Sequence, residues 1–440
     1  MSSTTLEAAP DAISRDENIN DLEMQDTTVR TVLDHLPAAY PVRSVVERPQ
    51  NAVHEIGFVA VLSCSQLMNQ AGLAVSIAPL PIISYSFGTD SPGQQSWMPA
   101  AYSLTVGTFI LIAGRLGDLF GHKKFIVAGF AWYALWSLLA GFSVYSNVVF
   151  FNCCRALQGI GPAFLLPNSI AILGRAYKPG MRKQVMFSLF GATAPSGFVL
   201  GAVFSSLLSQ RLWWPWTYWI MAISLLVLAV LGVFLIPYTP PPVLDTSESM
   251  WTRVDIWGAT TGVIGLVLIN FAWNQAPIAG WSNPYIYALL IVSFAFMGVF
   301  TYVESRVAKY PLVPPEAICA STGFLLGCVA LGWASFGIWI FYFWQFLEGL
   351  RNLTPLLATA QFIPVSISGF CAAIVTAFLL SRVPGSAIML IALLAFTIGL
   401  ILIATAPVDQ TYWKQTFFAT ILMPWGMLVY VFVHSSSSLC

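Results

Sequence analysis

The sequence is short of charge. Lysine, arginine, aspartate and glutamate make up 9% of its 440 residues, against about 25% in an average soluble domain. The shortage deepens along the chain: 14 of the charges fall within residues 1–55, and only 24 are spread over residues 56–440. So few charges cannot cover a water-exposed surface, which excludes a soluble enzyme, a coiled coil and a nucleic-acid binder. Metal-ligand spacing is missing as well. The seven cysteines (Cys64, Cys153, Cys154, Cys319, Cys328, Cys371 and Cys440) stand apart from His35, His54, His122 and His434 and read as small packing residues. No basic-then-apolar leader opens the chain. The apolar runs also lack interior acids. After Glu55 the carboxylates are Asp90, Asp118, Asp245, Glu248, Asp255, Glu304, Glu316, Glu348 and Asp409, all in breaks or at the ends of runs. The sequence therefore offers no midplane carboxylate as a proton carrier.

What is present is apolar length. Hydrophobic residues make up 57% of the chain, with a mean hydropathy of +0.76. A bilayer span needs about 20 apolar residues. On that measure the chain is an all-α polytopic membrane protein with about twelve helices. They fall near 56–83, 96–114, 125–145, 148–173, 185–208, 216–236, 254–273, 284–304, 320–347, 354–380, 385–406 and 412–434. Residues 1–52 are polar and acidic and read as a disordered tail. The expected units are this tail, a six-helix half at 53–237, a linker plus an inserted helix pair at 238–305, and a partial second half at 306–440.

Orientation follows from the basic residues. With the tail in the cytoplasm, inner loops hold Arg115, Lys123, Lys124, Arg175, Lys178, Arg182, Lys183, Arg253, Arg306, Lys309 and Arg382. Outer loops hold only Arg211, Arg351 and Lys414. Trp213, Trp214, Trp216 and Trp219 form an interfacial belt at the outer start of the sixth helix. Arg155 is the one basic residue inside a span, a costly position that usually marks function.

Three motifs carry chemistry. The loop Gly114-Arg115-Leu116-Gly117-Asp118-Leu119-Phe120-Gly121-His122-Lys123-Lys124 joins the second and third helices. Its glycines permit a tight turn, and its carboxylate can make a contact that breaks and remakes. The fourth helix carries Arg155-Ala156-Leu157-Gln158-Gly159-Ile160-Gly161. The fifth carries Gly191-Ala192-Thr193-Ala194-Pro195-Ser196-Gly197, then Gly201, whose proline and glycines suit either close packing or a bend.

These stretches resemble the signatures of the major facilitator superfamily. Gly114, Leu116, Asp118, Gly121 and Lys123 match its loop motif, while Leu119 and His122 stand where that motif has arginines. The resemblance implies a gating role for Gly114, Asp118, Gly121 and Lys123. It implies a proton-coupling role for Arg155 with Gln158 and Gly159. It also implies an exporter-type bend at Gly191, Pro195, Gly197 and Gly201. Asp255-Ile256-Trp257-Gly258, Asn270-Phe271-Ala272-Trp273-Asn274-Gln275-Ala276-Pro277, Glu304 and Pro311-Leu312 resemble the fourteen-span drug:proton antiporters of fungi, in the branch of aminotriazole- and boron-resistance permeases. That likeness implies six helices, two inserted helices and only four of the last six, a shortened second half. A complete twelve-span chain is the alternative.

The function expected is proton-coupled efflux of small molecules by alternating access, with no cofactor beyond a proton gradient. The expected partners are the lipid bilayer, a small-molecule substrate and protons, with no nucleic acid. The protein is expected to be a monomer, multi-pass in the plasma membrane. Helices one, four, nine and ten are expected to face the substrate, through Gln70 and Gln361 for hydrogen bonding and Trp333, Tyr342 and Gln345 for shape and stacking. Transport of a small inorganic solute such as borate or ammonium is a second reading. A non-transporting membrane protein is the third.

Overall fold

The computed structural model describes residues 51–89, 91–178, 180–238, 249–313, 320–379 and 382–428, and among these the secondary structure is helical throughout, with no strand. The expected tail, apart from its last positions, and residues 239–248 of the expected linker lie outside the described residues. Eleven helices are long and apolar enough to cross a membrane. We number them α1 Ala52–Ile77, α2 Pro92–Phe120, α3 His122–Tyr145, α4 Val148–Ala176, α5 Met181–Arg211, α6 Pro215–Leu235, α7 Ile256–Ala279, α8 Pro284–Val307, α9 Ala320–Leu350, α10 Pro355–Thr376 and α11 Gly385–Ala404. The twelfth expected span begins as a short helix, α12 Gln415–Leu422, and tightens into a 3₁₀ segment, Met423–Leu428. The remainder of that span lies outside the described residues.

Local chemistry sets many of the boundaries. Side chains of Asn51, Asn147, Asp255 and Thr354 accept from backbone N–H groups of the first turns they precede. Proline starts α2, α6, α8 and α10, where its missing N–H costs nothing. Gly121 separates α2 from α3 with φ 98°, a conformation that favours glycine. The expected helix at 354–380 is two pieces, Pro355–Phe362 and Pro364–Leu379, because Pro364 cannot donate to the preceding turn. The ends of α8 and α9 wind more widely, over Val303–Val307 and Gln345–Leu350. These π-type turns carry Glu304 and Glu348 within the spans.

In hydrocarbon, helices gain little from burying apolar faces against one another, so close approach at small residues matters more. α1 packs along α5, α2 along α4, and α3 along both α4 and α6. Gly197 and Gly201 of α5 meet Leu67 and Ala71 of α1 backbone to backbone, and Gly161 of α4 meets Gly129 and Tyr133 of α3. α7 and α8 form a hairpin in which Gly262 and Gly265 receive Phe300 and Met297. The hairpin leans on α2, where the Trp97 indole donates to Gln275 at 3.3 Å. In the second half, α9 packs on α11, and α11 on α12 and its 3₁₀ turn. α5 and α10 join the halves: Pro195 rests on Gly369, and Ser366 donates to Ser196 at 3.2 Å.

A side chain at Gly201 therefore has no room, since even a Cβ would stand 2.6 Å from the Ala71 Cα. At Gly191 nothing lies within 4 Å. Gly201→Val is expected to lower the melting temperature of the detergent-purified protein, with an overpacking cost of about 1–3 kcal/mol. Gly191→Ala is expected to leave it near the wild-type value. Equal melting of the two variants would refute the close contact.

Candidate functional site

At the Asp118 end of the molecule, α2, α3 and α4 meet in a polar knot. The Asp118 carboxylate accepts from Arg175 at 2.6 Å and lies 3.5 Å from His122 Nε2. His122 Nδ1 pairs with Asn168 Oδ1 at 2.7 Å, and Asn168 Nδ2 donates to the Ala113 carbonyl. The stretch expected as a loop is helical, Gly114–Phe120 closing α2 and His122–Lys124 opening α3 with Gly121 alone between them, because a single glycine suffices for the turn. Asp118 thus finds its arginine on α4, although Leu119 and His122 replace the two arginines of the family motif. Lys123 donates to the Val233 carbonyl of α6 at 2.7 Å. Gly114 passes Pro167 of α4, where a Cβ would make an ordinary 3.5 Å contact. Asp118 itself is half exposed, so its pair with Arg175 can part without stranding a charge in the interior.

Arg155 lies in the core of the first half, fully buried. Its Nε donates to the Met98 carbonyl of α2 at 3.1 Å. One terminal nitrogen donates to Gln158 Oε1, and the other to the Gly72 carbonyl at 2.7 Å and Ser76 Oγ at 3.0 Å on α1. The guanidinium also sits 4.5 Å from the centre of the Tyr102 ring. Gln158 passes the chain on to Ser137 of α3 at 2.6 Å. Gly159 brings α4 so close to α2 that a Cβ would overlap the Tyr102 carbonyl and Thr105 Oγ1. Arg155, Gln158 and Gly159 are therefore brought together, in a network that pins α1, α2, α3 and α4 within one half.

Between the halves lies a cavity of about 70 Å³. Gln66 of α1, Ser188, Gly191, Ala194 and Pro195 of α5, Trp333 of α9 and Gly369, Ala372, Ala373 and Thr376 of α10 line it, with Pro424 and Met427. No side chain in this lining is ionisable. Pro195 lacks the N–H that would serve the Gly191 carbonyl at the wall, yet α5 runs as one helix through it. A smaller void of about 10 Å³ adjoins, reached by Gln70, Phe198, Phe336 and Phe362.

Away from Asp118, aromatic rings close the space between the halves. Phe362 of α10 packs against Phe198 of α5 at 5.3 Å, Phe343 at 5.4 Å, and Trp339 and Trp344 at 5.6 Å. Ser206 and Thr359 bridge α5 and α10 beyond the rings at 2.9 Å.

The residues expected to touch substrate are spread over several places. Trp333 lines the cavity and Gln70 the adjoining void. Tyr342 and Gln345 line a separate groove of about 580 Å³ between α9 and α11, where Tyr342 is 61% exposed. Gln361 lines none of these spaces, and its Oε1 is buried without a hydrogen-bond partner. α4, expected at the cavity, is replaced there by α5. Sequence reasoning missed Gln66, Ser188 and Thr376, though a polar residue facing small ones across a span is a readable signal. It also missed Glu348, whose Oε1 is buried without a partner at the end of α9.

The family model for the Major Facilitator Superfamily matches residues 62–440. The chain belongs to this superfamily. It is a multi-pass membrane transporter and not an enzyme, and its relatives include fungal efflux pumps. It is 65% identical over 382 residues to the low affinity ammonium transporter of Saccharomyces cerevisiae, covering 87% of this chain and 74% of that one. It is 51% identical over 383 residues to the efflux pump terJ of Aspergillus terreus, covering 87% and 74%. It is 38% identical over 382 residues to the aminotriazole resistance protein of S. cerevisiae, covering 86% and 69%. Among solved structures, a peptide transporter POT bound to sulfate matches with a TM-score of 0.59 at 17% identity, covering 88% of this chain and 82% of that one, a likeness of fold alone.

The Arg155 network depends on a planar fork of donors. Arg155→Lys keeps the charge but cannot reach Met98, Gly72 and Gln158 together. It is expected to lower the melting temperature, each lost charged hydrogen bond being worth about 1.5–3 kcal/mol. Unchanged melting would show that the fork does not hold these helices.

Proposed function

We propose that this transporter is a proton-coupled exporter of small molecules working by alternating access, with its N-terminus in the cytoplasm of a plasma membrane. The observation that carries the reading is a cavity shared by the two halves and sealed by aromatic rings on one side. Rocking of one half on the other at the α5–α10 contact would exchange the open side. The Asp118–Arg175 pair would hold one of the two arrangements. Gln66, Ser188 and Thr376 supply hydrogen bonds, and Trp333 supplies an aromatic wall. Likeness to named efflux pumps supports the export of organic solutes.

A second reading, transport of a small polar solute such as ammonium or borate, draws on the modest cavity and on the relative named as a low affinity ammonium transporter. Two measurements separate the readings. Cells expressing the protein are challenged with boric acid, methylammonium and a panel of aromatic drugs, and proteoliposomes are assayed with and without an imposed pH gradient. Drug resistance together with gradient-driven drug movement is expected. Altered handling of boric acid or methylammonium alone would replace the first reading by the second.

Coupling needs a group that takes up and releases a proton. Arg155 has its donors engaged within the first half, whereas Glu348 holds a buried, unpartnered carboxyl oxygen beside the aromatic seal, at Phe346 and Leu347. Glu348→Gln is expected to abolish transport driven by a pH gradient while leaving downhill substrate exchange. Gradient-driven transport at the wild-type rate would exclude Glu348 as the carrier. The same assay on Arg155→Ala tests the coupling role implied for the arginine, and unchanged driven transport would exclude that role.

A further inference from the structure

Asp255 and Glu304 face one another at the base of the α7–α8 hairpin. They are 5% and 6% exposed, which is deep for two carboxyl groups. Each has one oxygen bound by backbone: Asp255 Oδ1 accepts from Gly258 N–H at 3.1 Å, and Glu304 Oε2 accepts from Val313 N–H at 3.1 Å. The other two oxygens, Asp255 Oδ2 and Glu304 Oε1, are buried without a hydrogen-bond partner. Both converge on the space over Gly258, where a Cβ would overlap Asp255 Oδ2 and stand 2.6 Å from Glu304 Oε1. Asp255 accepts φ 54° to hold this position, an unusual conformation outside glycine.

Two carboxylate oxygens cannot bond to each other, and two adjacent buried negative charges repel strongly. A single proton between them removes one charge and supplies the missing donor. Among the described residues, no ion pair within 4 Å reaches either carboxyl. Arg115 of α2 donates to the Arg253 carbonyl at 2.9 Å. The charged groups of Arg115, Arg253 and Lys309 gather around the Tyr310 ring at 5.8–6.0 Å. Arg306, on the same turn as Glu304, is exposed.

We infer that Asp255 and Glu304 form a proton-binding site, sharing one proton in a clasp that ties the base of α7 to the base of α8 and to the segment leading into α9. The proton sits between Asp255 Oδ2 and Glu304 Oε1. Through the Arg115–Arg253 contact the clasp also reaches the end of α2 that carries Asp118. Acid leaves the clasp closed. Alkali strips the proton and sets two buried carboxylates against each other, which parts the base of α7 from the base of α8. This inference stands whatever the transported solute is.

The test uses the full-length protein in nanodiscs. The melting temperature of the wild type is expected to fall as pH rises from neutral to alkaline. Asp255→Asn and Glu304→Gln each supply an amide donor without a proton to lose, and both are expected to flatten that slope. On a Glu348→Gln background, which removes the other buried carboxyl, infrared difference spectra should show a protonated-carboxyl band at neutral pH that bleaches with alkali when Asp255 and Glu304 are intact and is missing from both variants. Gly258→Ala, which wedges a methyl group between the two oxygens, should also remove the band. A background protein with no such band, or amide variants that keep both band and slope, would overturn the shared proton.

Discussion

Arg155 carries a charge into a region where lipid cannot solvate it, and the first half of the molecule is arranged around that fact. The cost of burying a guanidinium is offset only when its donors find acceptors. Here the acceptors are the Met98 and Gly72 carbonyls, Ser76 and Gln158, with the Tyr102 ring stacked beside them. None of these can be reached unless α1, α2 and α4 approach closely. Gly72 and Gly159 permit that approach, since a Cβ on either would overlap a neighbouring tyrosine or its backbone. The charge and the small residues are therefore one device, and α1, which faces the second half, is held rigidly from behind.

That rigidity is what the alternating access proposed for this transporter would require. The contacts within the first half are dense and polar in their centre, while those between halves include two hydroxyl bridges, a proline on a glycine and Phe198 against the rings of α9 and α10. Rings can part and repack without leaving a polar group unpaired. An arginine with several engaged donors cannot. The cheap contacts lie between the halves, and the expensive ones lie inside the first half.

The α7–α8 hairpin follows a different rule. Its α8 is mostly exposed, while α7 packs on α2 and has polar contacts near both ends. Trp97–Gln275 secures one end, and the Asp255–Glu304 pair with Arg115–Arg253 secures the other. A two-helix element attached in this way can follow the motion of either half.

Much of this architecture was legible in the residues. A bilayer demands runs of about 20 apolar residues, so α1–α11 could be counted and placed within a few positions. The motif at Asp118 and the Arg155-Gln158-Gly159 stretch were legible too, because charge and glycine are conspicuous in an apolar chain, though the motif proved helical apart from Gly121. The partners were not. Nothing in one-dimensional spacing tells Asp118 that its arginine is Arg175 on α4, or brings Glu304 over Gly258 to meet Asp255. Nor could Gln70, Tyr342, Gln345 and Gln361 be sorted among void, groove and interior, because the azimuth of a side chain depends on how helices cross. The sequence alone determined that the chain lies in the membrane and where its spans run to within about six positions, because lipid forces every span to satisfy its own backbone. Which faces touch, where the cavity lies and which acids stand without a partner were decided only in the tertiary structure, by packing between helices far apart in the chain.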